Sequence, residues 1–350
     1  MTGADYAYES MTYQSVAGTG PLSSKAASGE ISSPTCSNLV ASYLNECEMR
    51  LQSPKTVETR KVFLRNLQWF LYKRNCPVCG VSELRQFFHY LMHGHKEPGG
   101  RFGKPYLNKP VRPITLKDYY ICYRSFFDWL VEVGEIQQNP LAHIPRPRVR
   151  EEEQAALPLD QVNALLQAAQ ESADSTRNLA ILSFLLDTGC RASELISVQL
   201  DDLDITNRCC PVIGKGNKQR MLYFGANTAY ALQKYMSETI PARAQHTTES
   251  SGCLFVSSYH YRPLTRSGLL QLLERLGKKA GIKASVSPHA LRRTFAVQTL
   301  KNGANVFSVQ AMLGHSSLRM TQKYCRLAQT DVETQHRQFS PMDRFNREWI

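Results

Sequence analysis

The chain lacks any apolar run of the roughly eighteen residues that a membrane-spanning helix needs, and its first residues show no basic stretch leading into an apolar core. The first absence argues against a helical anchor and the second against a secretory signal. Acidic residues are in short supply, with 30 Asp and Glu against 42 Lys and Arg, a formal net charge of +12. A basic surplus of this size suggests a polyanionic partner, most often nucleic acid. A second Cys-x-x-Cys is also missing: Cys76-Pro-Val-Cys79 stands alone. A zinc knuckle would have to draw on His89, His93 and His95; the other reading is two incidental thiols at a helix end. The ten cysteines, several of them within helical apolar patterns, read as reduced thiols, so the expected compartment is cytoplasmic. Nothing repeats internally.

What is present is unevenly spread. Residues 34–150 hold 18 Lys and Arg against 9 Asp and Glu, whereas residues 1–33 hold one Lys against three acids. The length of 350 residues suggests about two domains. Residues 1–33, rich in Ser, Gly, Ala and Thr, read as a disordered tail. Four helices are expected over 34–143. The first lies near 36–51. The second opens at Ser53-Pro54, with Val57, Leu64, Leu67 and Leu71 on one stripe. The third opens at Ser82, with Leu84, Phe87, Phe88 and Leu91. The fourth opens at Thr115, with Asp118 completing a capping box and a stripe from Tyr119 to Val133 that Gly134 ends. A basic loop, 96–113, separates the last two; its Lys and Arg either contact phosphates or are simply solvated. Residues 144–157, with alternating prolines in Ile144-Pro-Arg-Pro-Arg-Val-Arg, read as an extended interdomain linker. The region 158–330 reads as mostly helical, with one hairpin formed by 209–213 and 219–224. A polar tail, 331–350, closes the chain. The expected fold class is therefore mainly α with a small antiparallel sheet.

Five short stretches hold the residues that metal-free phosphoryl transfer needs. They are Thr188-Gly-Cys-Arg191-Ala-Ser-Glu194-Leu, Gly214-Lys215-Gly-Asn-Lys218, His289-Ala-Leu-Arg292, Leu313-Gly-His315 and, nine residues on, Tyr324. Arginines grip non-bridging phosphate oxygens in a planar fork and offset charge that builds in the transition state. Histidines move protons near neutral pH. A tyrosine can be the covalent nucleophile, and a lysine can protonate a leaving oxygen. Taken alone, a His-x-x-Arg pair more often marks a solvated helix face; the order of all five is the signal. Glu194, one turn from Arg191, either positions a catalytic cation or forms a plain surface ion pair. Lys218 rivals Lys215 as the acid.

At these residues the chain resembles the tyrosine recombinases, the integrase family that includes phage integrases, Cre and the bacterial Xer proteins. The likeness runs over about 155–330 and more weakly over 34–145. It implies a SAM-like helical core-binding bundle followed by a tyrosine-recombinase catalytic domain. It also implies that Tyr324 is the nucleophile and Lys215 the acid, that Arg191, Arg292 and His315 hold the phosphate, and that His289 assists proton movement. No metal or other cofactor is required on this reading. The implied partner is double-stranded DNA bearing inverted-repeat sites, held by a homotetramer in which accessory DNA-bending or directionality proteins can join, with no membrane involved and the nucleoid as its place in the cell. The tail, through Phe339, Met342 and Phe345, either docks on a neighbouring protomer or folds back. A type IB topoisomerase and a non-catalytic DNA-binding regulator on the same scaffold are the alternatives. The long loop and the tail favour a mobile-element enzyme over a chromosomal one.

Overall fold

The computed structural model describes residues 29–95, 99–149, 155–214, 219–246, 252–258 and 261–315, with a few isolated residues beyond. The chain divides into two compact units, Met1–Glu151 and Glu152–Ile350.

The first unit opens with a short strand, β1 (Ile31–Ser32), followed by helix α1 (Ser33–Met49) and helix α2 (Pro54–Lys73). Strand β2 (Val78–Cys79), helix α3 (Val81–Met92) and helix α4 (Pro113–Glu132) follow, and a single 3-10 turn at Pro140–His143 ends it. The capping reading holds for α2: the Ser53 hydroxyl accepts from the Thr56 N–H, and Pro54 is the first helical residue. It fails for α4. That helix begins at Pro113, with Arg112 as an N-cap that offers no side-chain bond, so Thr115 lies inside the first turn. Proline at the first helical position outranks a capping box two residues on, because its φ is already helical and its missing N–H has no intrahelical partner to lose. Val133, expected on the buried stripe, is the C-cap and is 48 % exposed. The core is strongly aromatic: Phe70, Phe87, Tyr123, Phe126 and Phe127 are all shielded from solvent.

Three further findings concern stretches that sequence patterns left irregular. Ile31 and Ser32, within the stretch expected as tail, pair antiparallel with Cys79 and Val78, and Ile31 is buried. Ordered chain therefore starts before residue 34; residues 1–28 lie outside the described residues. Cys79 is buried beside Cys36, whose thiol hydrogen bond together with burial pushes the Cys79 thiol well up. Among the described residues no group of three or more His, Cys, Asp or Glu could hold a metal. The basic loop is tied down by buried Phe102, which packs edge-on to Trp69, and by Arg101, which donates to the Lys109 carbonyl at 2.6 Å.

The second unit runs through α5 (Leu159–Gln170), α6 (Ser175–Thr188), α7 (Ala192–Ser197), strands β3 (Cys209–Ile213) and β4 (Gln219–Tyr223), α8 (Ala226–His246), α9 (Arg266–Lys279), α10 (Pro288–Lys301) and α11 (Val306–Leu313). Helix α6 is apolar nearly all round and sits in the middle, with Ala180, Ile181, Leu182, Phe184 and Leu185 fully buried. Strands β3 and β4 form an antiparallel hairpin, with Cys209 opposite Tyr223 and Ile213 opposite Gln219. A smaller core of Phe295, Val297, Leu300, Val309 and Leu313 joins α10 to α11, and Tyr324 packs against it. The two ends of the expected linker are built into different units. Ile144 is buried in the first. Leu157 is buried in the second, where its N–H donates to the Thr294 hydroxyl at 2.9 Å.

Candidate active site

The end of α6 sets the first arginine. Gly189 takes a left-handed conformation (φ +58°) and stops the helix, and Arg191 then becomes the N-cap of α7. The Glu194 carboxylate, one turn into α7, is 1 % exposed. It accepts from the Arg191 backbone N–H at 2.7 Å and from Arg191 Nη1 at 2.8 Å. A second guanidinium reaches it as well: Arg220 Nη2, from β4, donates to Oε2 at 2.8 Å. Burial alone would raise the Glu194 pKa, but the Arg191 N–H and the Arg220 and Arg191 charges outweigh it and hold it below the usual carboxylate range. Glu194 is therefore a buried carboxylate shared by two arginines, not a surface ion pair.

Helix α10 supplies the second pair. Ser287 caps it through the Ala290 N–H, and Pro288 starts it. His289 and Arg292 stand one turn apart on the same face. Arg292 is 5 % exposed. Its Nη1 donates to the Gly189 carbonyl at 2.7 Å and its Nη2 to the Leu313 carbonyl at 2.6 Å. Burial, then repulsion from Arg191, lowers its pKa to about 10, which leaves it charged at neutral pH. His289 is pushed down by burial and by the charges of Arg292, Arg266, Arg293 and Arg191. The neighbouring Arg293 turns away and donates from Nε to the Ala155 carbonyl at 3.1 Å.

Helix α11 draws these parts together. Its last carbonyls have no intrahelical partner, and Gly314 turns the chain in the left-handed region (φ +62°). Three consecutive carbonyls there each accept from a different arginine: Met312 from Arg220, Leu313 from Arg292 and Gly314 from Arg191 at 3.1 Å. The negative end of the helix dipole adds to the attraction. His315 follows at once. It is 8 % exposed, and its Nδ1 lies 2.9 Å from the Thr321 hydroxyl. Burial and the three arginine charges lower its pKa to about 4, so it is neutral at physiological pH. The Tyr324 ring stacks near the His315 ring, with centroids 6.0 Å apart.

Arg191, Glu194, His289, Arg292, His315 and Tyr324 are thus gathered around one place. Lys215 and Lys218 lie outside the described residues; of the two strands, β4 reaches the site through Arg220. Arg220 is the residue the motifs missed. The available signal was strand alternation: Arg220 and Leu222 share a face, and Leu222 is buried. Two guanidiniums share the Glu194 carboxylate and a third, Arg292, is bonded to backbone carbonyls, so the site carries a surplus of positive charge suited to a phosphate.

A mainly helical catalytic unit with this set of residues matches a known class. The phage integrase family profile covers residues 156–331, and the chain belongs to that family. It is a tyrosine recombinase, an enzyme of DNA recombination. It is 32 % identical over 230 residues to the tyrosine recombinase XerD of Listeria monocytogenes, which covers 65 % of this chain and 77 % of that protein. In fold it is similar to the XerH site-specific recombinase bound to a palindromic difH substrate, with a TM-score of 0.62 at 19 % identity over 88 % of this chain and 85 % of that one. It is likewise similar to the Tn1549 transposon integrase in complex with a circular intermediate DNA, with a TM-score of 0.62 at 20 % identity over 83 % of this chain and 94 % of that one.

Proposed function

We propose that the enzyme exchanges strands between two duplexes through a 3′-phosphotyrosine. The Tyr324 oxygen forms a bond to the scissile phosphorus as the bond to the 5′ oxygen breaks. Arg191 and Arg292 hold the non-bridging oxygens, and His315, neutral, donates a further hydrogen bond. His289, whose lowered pKa suits a neutral imidazole, takes the tyrosine proton. Lys215 gives a proton to the departing 5′ oxygen. The covalent bond keeps the energy of the broken backbone, so a 5′ hydroxyl of the partner duplex can attack it and restore a phosphodiester without an external energy source. Two duplexes have four strands to cut, hence a homotetramer on inverted-repeat sites, with accessory DNA-bending or directionality proteins as added partners. We read the role as that of a mobile element, which inverted repeats in DNA beside the gene would support.

The observation that carries this reading is the convergence of Arg191, Arg292, His315 and the Tyr324 ring on the end of α11. Tyr324→Phe keeps the ring and removes only the attacking oxygen. The variant is expected to bind duplex DNA as the parent does and to give no covalent band with a nicked suicide substrate on a denaturing gel. A band that survives would reassign the nucleophile.

A further inference from the structure

We infer that Arg220 is a positioning residue of the strand-cutting reaction, acting through Glu194 on Arg191. The inference rests on the proposed chemistry. Arg220 is not in any of the five motifs, yet its side chain is only 13 % exposed and faces into the site from β4. It donates Nη2 to Glu194 at 2.8 Å and Nη1 to the Met312 carbonyl. Its stem passes so close to Gly314 that a Cβ there would lie 2.8 Å from Arg220 Cδ. Its Nε is shielded from solvent without a hydrogen-bond partner among the described residues, so the guanidinium is held by its two ends and by packing.

The arrangement has an electrostatic consequence. Glu194 faces two guanidiniums with one negative charge. With Arg220 in place that charge is divided, and Arg191 keeps net positive character for a phosphate. Without Arg220, the whole carboxylate charge falls on Arg191, the guanidinium closes on Glu194, and its remaining N–H groups turn from the phosphate. Arg220 also belongs to β4, so its bond to the Met312 carbonyl ties that strand to the end of α11 and its bond to Glu194 ties it to α7.

The test is the rate of covalent complex formation on a suicide substrate with the full chain, using Arg220→Met, Arg220→Lys, Glu194→Gln and the Arg220→Met/Glu194→Gln double variant. Arg220→Met is expected to slow the reaction about 10- to 100-fold with DNA affinity unchanged within about threefold. Arg220→Lys should recover part of the rate, since it keeps a charge beside Glu194. With Glu194→Gln as background, where no carboxylate charge remains to be divided, Arg220→Met should cost clearly less than in the parent. Equal costs in both backgrounds, or a parent-like rate in Arg220→Met, would overturn the inference while leaving the proposed chemistry standing. A parent enzyme that forms no covalent band, or a band that persists in Tyr324→Phe, would instead bring down the chemistry and this inference with it.

Discussion

A guanidinium has five N–H donors and no acceptor. Arg292 uses its two terminal nitrogens on carbonyls of two different helix ends and keeps donors free for a phosphate. Lysine could not hold this position: an ammonium offers a point charge, not a planar fork. For Lys215 the proposed task is a different one. Lys215→Ala is expected to slow cleavage by roughly 10²–10⁴, the usual worth of general-acid catalysis. A substrate with a 5′-bridging sulfur, whose leaving group needs little protonation, should rescue it. Rescue of Lys218→Ala in place of Lys215→Ala would transfer the role to Lys218. His315 carries a pH signature. Its pKa is about 4 in the folded protein against roughly 6.5 in an unfolded chain. Between those values the unfolded state binds the extra proton, so stability is fully present above about pH 6.5 and falls as the pH drops towards 4, by at most about 3 kcal/mol. His289, shifted the same way, adds to the trend. Thermal melting of the DNA-free protein from pH 7.5 to 4.5 should show the loss, and His315→Gln should flatten the curve; an unchanged slope in that variant would assign the loss elsewhere.

At the level of elements, helix stops did as much as helix faces to build the site. Gly189 ends α6 and Gly314 ends α11, both left-handed, and the carbonyls at these ends receive Arg292. A Cβ at Gly189 would collide with the Phe295 ring, one turn beyond Arg292 on α10. Gly189→Ala should therefore add left-handed strain and overpacking together, about 2–4 kcal/mol, and displace α10. Chemical denaturation should show the midpoint fall, and the covalent assay should lose more than stability alone explains. Much of this was legible beforehand. The near-continuous apolar run in 179–186 predicted a buried helix, and the spacing of His289 and Arg292 put them on one face. The glycine after Leu313 marked a turn. What stayed hidden depended on partners far along the chain. Ile31 and Ser32 form a strand because Val78 and Cys79 lie opposite, and two residues carry no periodicity to read. Arg220 matters because β4 brings it to a glutamate 26 residues away. The capping pattern at Thr115 is local, whereas the start of α4 is decided by Pro113 two residues earlier.

The whole chain separates cores and charge. Each unit has its own buried cluster, and residues 34–150 hold 18 of the 42 Lys and Arg against 9 acids. That fragment has none of the catalytic candidates. Alone it should fold and bind duplex DNA with affinity that falls steeply as salt rises, because bound cations displace counterions. Residues 151–350 alone should bind more weakly yet retain slow chemistry, and mixing the fragments should not restore the parent rate, since the covalent tether sets the effective concentration of one beside the other. Fluorescence anisotropy of each fragment at two salt concentrations checks the first part. Tight, salt-insensitive binding by the second fragment would contradict it.

Three arginines from three parts of the chain share one short helix end as their mounting. A mounting in common means errors in common. A displacement of α11 by even an ångström shifts the acceptors of Arg191, Arg220 and Arg292 at once and carries His315 with them. Faults in this segment should therefore not be graded: the proposed phosphate grip is expected to fail as a unit, and a second substitution among residues 312–315 should find little left to remove.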